Sequence, residues 1–297
     1  MHLTTGQTPD RPISVSFELF PPKSADAMPA LDRTVDRLVR FGPEYFSVTY
    51  GAGGSTQDRT RGIVDRVMAS TGLTVAHHLT CVEASRAEID ALARDLWQGG
   101  IRRIVALRGD PQTEEGYTPR ADGYAFAADL VEGLTRVADF DISVAAYPEV
   151  HPQAESAEAD LDNLKRKLDA GAKRAITQYA FDTDGILRFV DRARAAGIDA
   201  PIVPGIMPVG HFGGLKRFSA KCGATIPPWL AEMFDGLDDD PATRAMVAAT
   251  VATEQCRRLA EAGLTEFHIY TLNKADVSVA LCRALGLREA APEKRAA

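Results

Sequence analysis

The residues best suited to chemistry fall where apolar runs stop. Residues 104–107, Ile-Val-Ala-Leu, are long enough for a buried strand and run into Arg108, Gly109, Asp110 and Pro111. That ending brings a cation, a flexible backbone and an anion to one spot. A plain exit turn uses the same residues, because Gly and Asp favour turns. Residues 13–19 alternate apolar and polar as a strand does, yet Glu18 stands where a core residue would fit. Its carboxylate is either exposed at a strand end or held in a pocket, and Pro21 and Pro22 then stop the strand. Residues 141–147 end at Tyr147 and lead into Pro148, Glu149, Val150, His151 and Pro152, a turn dense in aromatic, carboxylate and imidazole groups.

Other strand signals end on polar groups too. Residues 45–50 carry Thr49, and residues 174–179 end near Gln178. Residues 73–80 hold His77 and His78, which as neighbours in a strand point to opposite sides and cannot ligate one metal together. One of the two is expected to face a barrel interior or its mouth. Residues 201–205 and 267–270 complete eight strand signals.

Helical periodicity separates these strands, at 27–39, 56–70, 85–99, 124–137, 156–170, 183–196, 215–220 and 242–262, with a last helix after Lys274. Ser85 and Glu88 form a capping-box pattern. Gly51 to Thr56 precede a helix, either as a capped tight turn or as an anion cradle. The acidic stretch 235–240 before Pro241 reads as a helix start, not a cation site. On the 156–170 helix, Asp160, Asn163 and Lys167 share one face with Arg166 nearby, while Leu161, Leu164 and Leu168 cover the buried side.

Alternating strands and helices with no internal linker predict an α/β protein, a single (β/α)8 TIM barrel with extra helices near the C-terminal half. The expected layout is an N-terminal arm at 1–12, a catalytic barrel at 13–287 and a disordered tail at 288–297. In that fold, function sits at the C-terminal strand ends. A Schiff-base lysine on a central strand is missing, and the histidines do not cluster with carboxylates as a metal site requires, so no metal is expected. An organic cofactor suits the collected groups better. Cys81, Cys222, Cys256 and Cys282 lack metal-ligand spacing and read as buried free thiols. The net charge of −7 argues against a nucleic-acid partner. The apolar runs are too short to span a bilayer, and residues 1–10 lack a signal peptide's apolar core, so the expected location is cytoplasmic and no membrane partner is expected.

Nine stretches, in order along nearly the whole chain, resemble methylenetetrahydrofolate reductase of the bacterial type. They lie at 17–22, 47–52, 78–81, 106–110, 139–152, 163–167, 175–178, 233–240 and 268–273. The resemblance implies a flavin barrel that carries FAD, takes hydride from NADH or NADPH and reduces 5,10-methylenetetrahydrofolate to 5-methyltetrahydrofolate, for methionine synthesis. It implies that Thr49, His78, Leu107, Arg108, Gly109, Asp110, Tyr147, His151, Asp160, Asn163, Arg166 and Lys167 hold FAD. Glu18, Gln178, Phe218 and Lys274 would face folate and nicotinamide. Glu18 and Asp110 would be catalytic, with Glu18 as the acid that opens the folate's five-membered ring. That role asks for a pKa above the ordinary value of about 4.3, which burial would supply. Gly214 stands where the enteric pattern has Gln, and Lys274 where it has Arg. Assembly into a homo-oligomer is expected. A flavin barrel acting on another substrate, such as an amino-acid dehydrogenase, is the enzymatic alternative; a flavin-binding sensor is the non-enzymatic one.

Overall fold

The computed structural model describes residues 12–50, 57–110 and 117–290. These form nine strands: β1 (Ser14–Leu19), β2 (Phe46–Val48), β3 (Val75–Thr80), β4 (Arg103–Leu107), β5 (Asp141–Ala146), β6 (Arg174–Thr177), β7 (Ile202–Val203), β8 (Gly205–Ile206) and β9 (Glu266–Tyr270). All pairings are parallel, in the order β7-β6-β5-β4-β3-β2-β1-β9-β8. The expected seventh strand is therefore two short ones interrupted at Pro204. Proline lacks the N–H that a continuous ladder needs. β7 pairs with β6 and β8 pairs with β9, so the barrel closes across this break.

The helices are α1 (Met28–Leu38), α2 (Gln57–Thr71), α3 (Arg86–Gln98), α4 (Ala127–Val137), α5 (Ala157–Asp169), α6 (Thr183–Ala195), α7 (Phe212–Cys222), α8 (Pro228–Phe234), α9 (Pro241–Glu261) and α10 (Ala275–Ala284). Their boundaries follow local chemistry. Ser85 and Glu88 form the expected capping box on α3. The Asp240 side chain accepts from the Thr243 N–H, and Pro241 opens α9. The helix expected from 124 starts at Ala127, because Tyr124 is spent on the core.

Strand alternation divides the core. Val15, Phe17, Leu19, Phe46, Val48, Ile104, Ile142 and Val144 join the large cluster that includes apolar residues of the helices. Tyr45, Ala76, Val105, Ile176 and Val203 form a separate small cluster, with Leu107 packed against it. Ser16, Ser47, His78, Ser143 and His268 are buried polar residues of the strands. A further cluster gathers Tyr179, Phe181, Met207, Phe212, Leu215, Leu230 and Phe234 beneath the extra helices α7 and α8.

The closing seam leaves no room at Gly205. Its N–H donates to Thr177 Oγ1 at 2.9 Å, and a Cβ there would lie 2.2 Å from Thr177 O and 2.5 Å from Tyr270 Cε2. Gly205→Ala is expected to force those strands apart at a cost of about 1–3 kcal/mol. Thermal unfolding should show a lowered Tm for the variant; an unchanged Tm would mean that the seam yields freely.

Cys81, Cys256 and Cys282 are buried free thiols as expected, whereas Cys222 is only half-buried. The tail expected from 288 is fastened at its start. Ala290 N donates to Arg40 O at 2.7 Å, and Glu289 pairs with Arg283 and Arg40. Residues 1–11, the glycine-rich 51–56 and 291–297 lie outside the described residues. Among the described residues no helix is long and apolar enough to cross a membrane.

Candidate active site

Glu18 is the penultimate residue of β1, and its side chain is 20% exposed. Parallel register sets it between two histidines: Glu18 Oε2 lies 3.6 Å from His78 Nε2 and 3.8 Å from His268 Nε2. Both separations exceed hydrogen-bond length. Burial pushes the His78 imidazole down to about 4, against the pull of the Glu18 charge. Near neutral pH His78 is therefore uncharged and places no cation beside the carboxylate. Its Nε2 is buried without a hydrogen-bond partner among the described residues. His77, across the strand, is buried as well and pushed down to about 3. The expected division of the two histidines holds.

Asp110, Tyr147 and the α5 face line one groove of about 480 Å³. Leu107, Arg108 and Gly109 form its β4 wall; Tyr147 and His151 follow β5; Asp160, Asn163, Arg166 and Lys167 come from α5. Gly109 has φ of +88°, and a Cβ would meet Val82 Cγ1 at 2.6 Å, so this turn requires glycine. Arg108 donates from Nε to Gly109 O at 3.0 Å and stacks over the Tyr117 ring at 4.6 Å. Tyr147 and His151 meet edge to face at 4.5 Å, and the His151 N–H donates to Asp160 Oδ2 at 2.9 Å. Burial, then the Asp110 charge, pushes the Tyr147 phenol up to about 12.

Lys167 departs from a solvated helix face. It is 6% exposed, and its Nζ donates to Ala145 O at 2.6 Å. Burial pulls its ammonium down to about 8, while Asp160 opposes that fall. A partly desolvated cation with one carbonyl partner, at the foot of a groove that also holds Arg108 and Arg166, suits an anionic ligand. Phe126 and Ala127 at the start of α4 extend the same wall. The sequence reading did not include them; the Phe126 N–H donates to Asp129 Oδ2 at 2.8 Å, so only the N–H groups after it are left at this helix start for an anion.

Phe218, Lys274 and Gly214 line a second, separate pocket of about 290 Å³, with Met207, Leu215 and Leu272. Phe218 is 55% exposed, and the Gly214 N–H donates to His211 Nδ1 at 2.9 Å. Thr49 and Gln178 line neither cavity. Thr49 leaves β2 with its N–H bonded to Leu19 O at 2.9 Å, and Gln178 Oε1 accepts from the Tyr179 N–H at 3.0 Å. The expected residues thus divide among strand ends, groove and pocket around one rim. Among the described residues no group of three His, Cys, Asp or Glu side chains could hold a metal.

The sequence reading left His268 and Tyr270 out of the site. Tyr270 is pushed up by burial and donates to Thr177 O at 2.7 Å. The signal was present, since alternation through Glu-Phe-His-Ile-Tyr puts 266, 268 and 270 on one face.

A family model described as methylenetetrahydrofolate reductase matches residues 5–286. The 5,10-methylenetetrahydrofolate reductase of Pectobacterium carotovorum subsp. carotovorum is 52% identical over 276 residues, covering 93% of this chain and 91% of that protein. That of Escherichia coli (strain K12) is 51% identical over 276 residues, covering 93% and 92%. Among solved structures, a Clostridium thermocellum protein described as binding two copies of 5-methyl-5,6,7,8-tetrahydrofolic acid aligns with a TM-score of 0.64 at 14% identity, covering 93% of this chain and 95% of that one. That likeness speaks to the fold alone. The match to the family model over residues 5–286, with identity of this level over 93% of the chain, means that the chain belongs to the methylenetetrahydrofolate reductase family.

Proposed function

We propose that this oxidoreductase reduces 5,10-methylenetetrahydrofolate to 5-methyltetrahydrofolate with electrons from NADH or NADPH, using FAD held in the β4–β5–α5 groove. The observation that carries the reading is the Glu18 carboxylate, which among the described residues pairs with no lysine or arginine, at the rim of a barrel whose adjoining groove gathers Arg108, Arg166 and Lys167. The groove fits the cofactor. Lys167, Arg108, Arg166 and the α4 start would meet its phosphates, Asp160 and Asn163 its hydroxyls, and Tyr147 and Leu107 its flat ring. FAD bound there supplies two-electron transfer from nicotinamide to folate.

The chain's own residues then have defined work. Glu18 gives a proton to the folate nitrogen that leaves when the five-membered ring opens. Ring opening produces an iminium cation, and the Asp110 carboxylate stabilises positive charge beside the groove. Phe218, exposed on α7, supplies an apolar face for whichever substrate enters, and Lys274 a cation for the folate's carboxylates. Cytoplasmic location and homo-oligomeric assembly are part of the same reading.

Purified protein is expected to be yellow and to release FAD, not FMN. Reduced nicotinamide should bleach it, and methylenetetrahydrofolate should restore the colour. Failure to load any flavin, or bleaching with no folate-dependent recovery, would overturn the assignment. Lys167 adds a pH test. Its ammonium is charged below about 8 and neutral above, so FAD affinity should fall as pH rises through that value. Lys167→Met should bind FAD more weakly and lose that step in the titration; a step that survives the substitution would belong to another group.

A further inference from the structure

His268, on β9 beside Glu18, is 1% exposed and lines neither the groove nor the Phe218 pocket. Parallel register places Ser16 of β1 opposite it and Glu18 opposite Tyr270. Ser16 Oγ lies 2.6 Å from His268 Nδ1. The other ring nitrogen, Nε2, is 3.2 Å from Ser47 Oγ and 3.8 Å from Glu18 Oε2. From this arrangement we infer that His268 is a positioning residue for the acid: its Nε2–H closes on the Glu18 carboxyl group as that group gives its proton to the folate.

The contacts decide which ring nitrogen carries the hydrogen. In one arrangement the Ser16 hydroxyl donates to Nδ1, and Nε2–H donates to Ser47 Oγ. In the other, Nδ1–H donates to Ser16, and the Ser47 hydroxyl donates to Nε2. Both keep the contact with Ser16. The second, however, sends the Ser16 hydrogen to Phe267 O at 3.5 Å, the limit of bonding. It also turns a bare Nε2 lone pair towards the Glu18 oxygen. The first points a hydrogen at two acceptors, Ser47 Oγ and Glu18 Oε2, and is the better satisfied. Packing then holds the ring. Tyr45 stacks on it at 5.8 Å with an interplanar angle of 22°, and Tyr270 meets it edge-on at 5.6 Å. A side chain locked by packing and hydrogen bonds keeps its donor aimed. His78 Nε2, 3.6 Å from the same Glu18 oxygen, has no hydrogen-bond partner among the described residues to orient it. His268 is the neighbour whose hydrogen is fixed.

At 3.8 Å the N–H is beyond hydrogen-bond length, so it does little while Glu18 keeps its proton. Transfer breaks the Glu18 O–H bond, forms the N–H bond of the leaving folate nitrogen and leaves Glu18 an anion. A side-chain movement of about 1 Å then brings Oε2 to bonding distance. A hydrogen bond to a charged group is stronger than one to a neutral group. The contact therefore gains strength as charge develops, which is the condition for speeding the step. No proton passes through His268. It keeps its hydrogen, and Glu18, 20% exposed at the rim, takes its next proton from solvent.

The role of His268 rests on Glu18 being the acid, and the test keeps the two apart. Gln and Met side chains have nearly the same reach, and only Gln carries an N–H. In the FAD-loaded enzyme, His268→Met is expected to slow folate reduction at least about tenfold, the usual worth of a hydrogen bond to a charged group. Flavin reduction by NADH should not change. His268→Gln should recover most of the lost rate. Combined with Glu18→Gln, His268→Met should add no further loss, because the acid it acts through is gone. Ser47→Ala removes the competing acceptor of the Nε2–H and should leave folate reduction at least as fast as in wild type; it decides the matter if the His268 variants do not fold. An unchanged rate in His268→Met, equal loss in the Met and Gln variants, or a further loss on top of Glu18→Gln would overturn the role. Where the His268 variants do not fold, slower folate reduction in Ser47→Ala does the same. Failure of the Glu18 reading shows differently, as folate reduction that survives Glu18→Gln.

Discussion

Glu18→Gln is expected to leave the reduction of bound flavin by nicotinamide largely intact and to slow folate reduction by about 10² or more, the usual worth of a positioned acid. The amide keeps the size of the side chain and its polar surface towards His78 and His268. The strand itself is held by backbone contacts that the substitution does not touch, including the Thr271 hydroxyl donating to Glu18 O at 2.6 Å. What the variant lacks is a proton to give. Nicotinamide oxidation does not call on that proton, whereas ring opening does. Rapid-mixing measurements of the two half-reactions separate the cases. Equal loss in both would show that Glu18 shapes the rim and does no proton transfer.

Glu18 was legible in the sequence because a carboxylate broke an apolar alternation just before a proline pair. His268 was less so, although it touches the same network. It sits in a strand with ordinary alternation, and a strand histidine is more often a bonded core residue. Only the β1–β9 register, Ser16 opposite His268 and Glu18 opposite Tyr270, brings residues some 250 positions apart into one cluster. Nothing local encodes that pairing.

Lys167 teaches the complementary lesson. Helical spacing put it on a polar face with Asp160 and Asn163, which usually means solvent. Here that face turns towards β5 and the Ala145 carbonyl, because a groove intervenes between helix and barrel. Periodicity tells which residues share a face, not what the face meets. The break at Pro204 was readable in principle, since proline interrupts a ladder, but two residues on either side still pair and the strand signal stayed whole.

Asp110→Asn is expected to raise the midpoint potential of the bound flavin and to slow folate reduction by up to about 10², near the range for losing one preorganised electrostatic partner. Asp110 ends the β4 turn that Gly109 makes possible, and it lines the groove with Tyr147. A carboxylate beside a group that gains electrons makes that gain costlier; the amide has nearly the same shape and no charge. Each shift of about 30 mV corresponds to about 1.4 kcal/mol for a two-electron couple. Nicotinamide oxidation should suffer less than folate reduction, because the variant makes the flavin a weaker reductant and removes an anion from the iminium. The competing role is a structural one, as a turn cap or the partner of Arg108. The structure weakens the second form, since Arg108 is engaged by Tyr117 and the Gly109 carbonyl. A structural role would lower stability or FAD affinity and leave the potential where it was. Redox titration of both proteins, each saturated with FAD, reads the difference directly: a potential that does not move removes Asp110 from the chemistry.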